Sequence, residues 1–169
     1  MNNSHLTKNK QTKIENKQAD DTRFCRPESL LLDSFRLWSQ NPENLTYIRR
    51  RLCHEMGNAA GERAAKAIKL LGHILGLQTR RTFYLMRPGS LGATVDERTL
   101  IALIGALLHD RRPHAHAMVT LLLPSSCHGT VLAVAGELGR SFRMGGLLFA
   151  PPRDQPRQKI IAPEIRAVA

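Results

Sequence analysis

Aromatic side chains are scarce, making up 5% of this 169-residue chain against 42% for all hydrophobic residues. A core built without them must rest mainly on Leu, Ile, Val and Ala, which suits helices packed on helices. Cysteine occurs only as Cys25, Cys53 and Cys127, an odd number with no CxxC pair. That argues against a disulfide framework. Long apolar runs are also missing. The longest, Leu100 to Leu108, is about half the length a membrane span needs. The opening stretch MNNSHLTKNKQTKIENKQADD has no secretory h-region, so a cytoplasmic location without a membrane span is expected.

The usual signatures of chemistry are absent as well. The glycines form neither a dinucleotide-binding nor a P-loop pattern, and no G-x-S-x-G elbow or cysteine-hydrolase signature occurs. Cys53-His54, Cys127-His128, His114 and His116 supply the residue types of a zinc site. Adjacent residues on a helix, however, point roughly a hundred degrees apart, so only ligands gathered from distant segments would satisfy one ion. Ser125 and Ser126 follow Pro124 and read as N-caps of the next helix rather than as nucleophiles beside Cys127. Asp96 and Glu97 are accounted for by a helix start. No catalytic residue, metal ligand or cofactor is assigned on these grounds.

What the chain does have is positive charge. The formal net charge of +11 is spread as +3 over residues 1–27, +6 over 28–149 and +2 over 150–169. Such an excess favours solubility and anionic partners in general. Arginines cluster at Arg49-Arg50-Arg51, at Arg80-Arg81 with Arg87, at Arg111-Arg112, and at Arg140 with Arg143. Arg49, Arg50, Arg80 and Arg81 are the candidate contacts to an anionic partner. Phe83 and Tyr84 lie close by in sequence, either to stack on an unpaired base or to close the core beneath the loop.

Periodicity divides the chain into a polar tail over residues 1–26, a helical domain over 27–142 and a Gly/Pro-rich tail over 143–169. Six helices are expected. The first opens at Pro27 and carries Leu30, Leu31, Ser34, Phe35, Leu37 and Trp38 as a broad stripe. Asn41-Pro42-Glu43 starts the second, with Leu45, Ile48, Leu52 and Met56 on one face and Gly57-Asn58 as its stop. The third places Ala64, Ala67, Ile68, Leu71, Ile74 and Leu75 opposite Lys66 and Lys69, and Gly76 is placed to end it. Thr82 to Met86 reads as a short extended piece with no evident strand partner.

Thr94 and Glu97 have capping-box spacing, so the fourth helix starts at about residue 95 and buries Leu100, Ile101, Leu103 and Ile104. Pro113 opens the fifth, whose buried face is read as Ala117, Met118, Leu121 and Leu122. The sixth buries Val131, Leu132, Ala135 and Leu138 and stops near Gly139 or Ser141. Short turns between the last three predict antiparallel hairpins. The expected class is therefore all-α, a compact bundle of about six helices with flexible tails at both ends.

The run LLLDSFRLW, the segment PGSLGATVDERTLIALI and the closing AGELGRSFRM resemble those of a group of small uncharacterised helical proteins from alphaproteobacteria. The similarity covers residues 29–144 and implies no activity, cofactor or partner. Members often carry cysteines near the segment matching Arg87 to Gly92, where this chain has none.

The functional expectation is a non-enzymatic regulatory or adaptor protein whose basic bundle binds another protein. The alternative is a nucleic-acid-binding protein that uses the arginine clusters without a standard motif, and third comes a metal- or cysteine-dependent enzyme. A helix-turn-helix over 96–123 is not supported, because the would-be recognition helix PHAHAMVTLLL has no Arg, Lys, Asn or Gln to read base edges. No oligomeric state is implied.

Overall fold

The computed structural model describes residues 24–79 and 82–150. Six α-helices account for most of them: α1 (Arg26–Gln40), α2 (Leu45–Met56), α3 (Asn58–Gln78), α4 (Val95–Leu108), α5 (Arg112–Leu122) and α6 (His128–Met144). Single 3-10 turns at Pro42–Asn44 and Ser125–Cys127 lead into α2 and α6. No strand occurs among the described residues. The expected helical bundle is what the chain forms. Most of both expected tails lies outside the described residues.

Helix α3 is central, packed against α2 on one side and α6 on the other, while α6 in turn meets α4 and α5. Leu71, Ile68 and Ala64 on α3 are fully buried, and Lys69 between them faces water. Such burial is worth roughly 1.5–3 kcal/mol per large aliphatic side chain, which is what holds an amphipathic helix in place.

Glycines allow the closest helix approaches. A single residue, Gly57 at φ 80°, separates α2 from α3. One turn later a Cβ on Gly61 would stand 2.4 Å from the backbone nitrogen of Cys53, so α2 and α3 touch backbone to backbone there. Gly72 admits the Trp38 ring of α1, which also meets His73 edge to face at 5.1 Å.

Several boundaries differ from the sequence reading. Helix α3 runs through Gly76 to Gln78, since nothing at Gly76 requires a left-handed turn. Helix α6 runs through Gly139 to Met144, because Gly139 lies where the Leu108 side chain of α4 packs against it, at 2.8 Å from a would-be Cβ. Packing continues past residue 142: Gly145 and Gly146 turn the chain, and buried Phe149 meets Phe142 edge to face at 5.3 Å.

The buried face of α5 is Ala115, Val119 and Leu122, whereas Ala117 and Leu121 face outward and Met118 is half-buried. Arg112, His116 and Thr120 form an exposed stripe at intervals of four, with apolar residues on both sides of it, so periodicity did not choose which side is buried. Neither serine side chain caps α6. The ring of His128 instead hydrogen-bonds back to the Leu123 carbonyl at 3.0 Å.

Candidate functional site

Among the described residues of the connection from α3 to α4 there is no strand, and side chains meet several of its backbone groups. Phe83 and Leu85 turn inward against the core while Tyr84 and Met86 turn outward, the period-2 alternation of an extended chain. The Tyr84 amide donates to Asp96 Oδ2 at 2.9 Å and the Met86 amide to Glu97 Oε1 at 3.1 Å. Thr94 Oγ1 donates to the Tyr84 carbonyl at 2.7 Å and accepts from the Glu97 amide at 3.1 Å, while Glu97 Oε2 accepts from the Thr94 amide at 2.8 Å. The capping box of α4 is thus also the dock for the extended segment.

Beneath this loop lies a fully buried ion pair. Arg36 of α1 donates from Nε to Glu97 Oε1 at 2.7 Å and from Nη2 to Glu97 Oε2 at 3.1 Å. Its remaining donors reach the carbonyls of Ser90, at 2.9 Å, and Gly92, at 2.7 Å. Burial alone would push the Glu97 carboxyl up. The Arg36 guanidinium, with the Thr94 and Met86 amides, outweighs it and holds the carboxyl below the ordinary carboxylate range. Asp33 completes the tie, accepting from the Gly89 amide at 3.3 Å and lying 3.5 Å from the Arg51 guanidinium of α2.

The loop held in this way presents apolar groups to solvent. Leu91 is 95% exposed, Val95 75% and Tyr84 62%, and Met86 lies beside Gly92 at 3.6 Å from a would-be Cβ. The Thr94–Tyr84 bond ties the arm 83–86 to the arm 91–95, and these four exposed side chains all stand on the loop so joined. Arg87 and Arg98, both exposed, stand on the same connection and the first turns of α4.

Of the sequence-derived candidates, Arg49, Arg50, Phe83 and Tyr84 lie within the described residues. Arg49 pairs with Glu62 of α3 at 3.1 Å, Arg50 is exposed, and Arg80 and Arg81 lie outside the described residues. Phe83 packs against the core and Tyr84 does not, so the two aromatics act separately. No hydrogen bond or ion pair among the described residues joins Arg49 or Arg50 to the Phe83–Tyr84 segment. By contrast, Arg112 of α5 meets Arg140 and Arg143 of α6 around one cleft.

Among the described residues no three His, Cys, Asp or Glu side chains gather as a metal ion would require. Cys53 contacts the Asn58 carbonyl at 3.8 Å, and Cys127 lies 3.8 Å from Ser126 Oγ. At Cys25, burial pushes the thiol up, which lowers its thiolate fraction and its reactivity. None of the described helices is long and apolar enough to cross a membrane.

Arg36 escaped sequence reasoning because, with Asp33, it reads as an ordinary polar interruption of the apolar run LLLDSFRLW. The available signal was its position one turn after Leu32, on the apolar face. Leu91 was equally legible as a large apolar residue in a Gly/Ser turn with no periodicity to bury it. Compared with protein-family models, with curated proteins and with solved structures, the chain matches none.

Proposed function

We propose that this chain is a non-enzymatic adaptor or regulatory protein that docks another protein on the loop surface of Tyr84, Met86, Leu91 and Val95. The observation that carries this reading is the combination of exposure with rigidity. Large apolar side chains stand in water on a loop whose backbone is fixed from below by Arg36, Glu97 and Thr94. Preorganised apolar anchors lose little entropy on binding, so they make efficient centres of an interface. Arg87 and Arg98 beside them favour a partner whose apolar contact surface is rimmed by acidic groups.

The nucleic-acid reading has less support, since Arg49 is engaged by Glu62 and Arg51 by Asp33, which reduces the charge available to phosphates. A photo-crosslinking residue placed at Leu91 in the native cell, with one at Lys69 as control, tests the proposal. One saturable, nuclease-resistant and protease-sensitive adduct from position 91 alone is the expected result. Adducts that are nuclease-sensitive, or equal from both positions, would overturn it.

A further inference from the structure

A second surface lies at the opposite end of α4, and it does not depend on the loop. Helices α4, α5 and α6 leave between them a cleft of about 580 Å³, within the ~300–1,000 Å³ of small-ligand sites. Leu107, Leu108 and Leu132 contribute to its lining, each only half-buried, so helix packing leaves apolar surface unfilled there. Its rim carries three guanidinium groups, those of Arg112, Arg140 and Arg143.

Two carboxylates oppose them. Asp110 lies 3.5 Å from Arg112, both highly exposed, and Glu137 accepts from Arg140 Nη2 at 2.8 Å and Nε at 3.2 Å. Arg143 has no carboxylate partner among the described residues. It donates one N–H to the Leu108 carbonyl, covering a C-terminal carbonyl of α4, and a guanidinium has further donors besides. Helix α5 begins at the same corner without a side-chain cap, so its positive dipole end adds to the local field. Gly136 supplies depth, for the only atom within 4 Å of its would-be Cβ is the Arg140 guanidinium, at 3.5 Å.

Cations and bare leucines on one cleft define one ligand chemistry. We infer that the α4–α5–α6 cleft binds a small amphipathic carboxylate, with the carboxylate on Arg143 and Arg140 and the apolar body on Leu107, Leu108 and Leu132. Guanidinium groups match carboxylates in planar, paired hydrogen bonds, while the leucines reward removal of an alkyl or aryl body from water. Glu137 is the intramolecular competitor that such a ligand displaces from Arg140.

Calorimetric titration of the full chain with octanoate, kept below micelle formation, tests this. Octanoate is expected to bind at one site, with octanol and acetate each at least tenfold weaker because one lacks the charge and the other the body. Arg143→Gln should weaken octanoate at least tenfold. Gly136→Leu, which keeps all three arginines in the chain but fills the cleft beside the Arg140 guanidinium, should abolish binding. Unaltered thermal unfolding would show the variants folded. Failure of octanoate to bind, octanol binding as well as octanoate, acetate binding as well as octanoate, or binding that survives Gly136→Leu would each overturn the assignment. If a variant is destabilised, the octanoate, octanol and acetate comparison on the native chain decides alone.

Discussion

Arg36 and Glu97, sixty-one positions apart, meet in a paired hydrogen bond at 2.7 and 3.1 Å inside the protein, and neither side chain has appreciable contact with water. The pair joins α1 to α4 and holds the Ser90–Gly92 turn between them. Removing one partner strands the other charge in the interior, which costs about 3–5 kcal/mol. Arg36→Ala is therefore expected to lower stability by that amount in urea titration. The double change Arg36→Met with Glu97→Gln should cost less than the two single changes added together. Faster hydrogen exchange at the Met86 and Thr94 amides in Arg36→Ala would show the loop released; an effect under about 1 kcal/mol would mean the pair does not organise it.

Acid should act through the same pair. The folded carboxyl of Glu97 lies below its ordinary value, while in the unfolded chain it titrates near ~4.3. A depressed folded value stabilises the protein above the unfolded one and loses that contribution as pH falls through the folded one. The stability gap between wild type and Glu97→Gln should be constant near neutrality and narrow progressively below about pH 4.3. Thermal unfolding from pH 7 to 3 reads this directly. A gap that widens on acidification would reverse the sign assigned to Glu97.

Two glycines on α3 should respond oppositely to the same substitution. Alanine is favoured over glycine in a helix by about 0.5–1 kcal/mol, and at Gly76, with nothing within 4 Å, that gain should appear undiminished. At Gly61 the added carbon would meet the Cys53 backbone at 2.4 Å, and backbone cannot rotate away. Forcing α2 and α3 apart costs more than the propensity gain, so Gly61→Ala should destabilise by about 2 kcal/mol net. Denaturant midpoints for the two variants should move in opposite directions.

The contrast between these glycines explains how far the sequence could be read. Thr94 and Glu97 are three residues apart, so their capping box is a local pattern visible in the sequence, and α4 starts where that pattern puts it. Gly61, Gly72 and Gly139 mark helix crossings, which depend on how separate helices pack and leave no local trace. The face of α5 was unreadable for a different reason: Ala117, Met118, Leu121 and Leu122 are as apolar as Ala115 and Val119, so only packing against α4 and α6 selects among them. The candidate surfaces follow the same rule. Leu91 went unread although it is an apolar residue in a Gly/Ser turn, while the meeting of Arg112 with Arg140 and Arg143 required the fold.

The corner between α4 and α5 carries the last prediction. Asp110 is the one non-glycine residue with positive φ among those described, at 55°. Its amide donates to the Leu107 carbonyl at 3.3 Å and the next amide, Arg111, to the Ala106 carbonyl at 2.8 Å. This nested pair is the Schellman arrangement, whose left-handed position usually belongs to glycine. An L-residue there costs about 1–2 kcal/mol, less for Asp, whose short side chain tolerates the conformation. Relief of that strain in Asp110→Gly is partly offset by the greater freedom glycine gives the unfolded chain, leaving a gain of about 0.5 kcal/mol. The lost pair with Arg112 is highly exposed and changes little. Asp110→Val brings a β-branched side chain to the same angle and should destabilise by more than 1 kcal/mol, on the order of what strained left-handed residues cost. Thermal midpoints in the order Gly, Asp, Val are expected. Equal midpoints for all three would mean that this corner is too loosely held for its dihedral to matter.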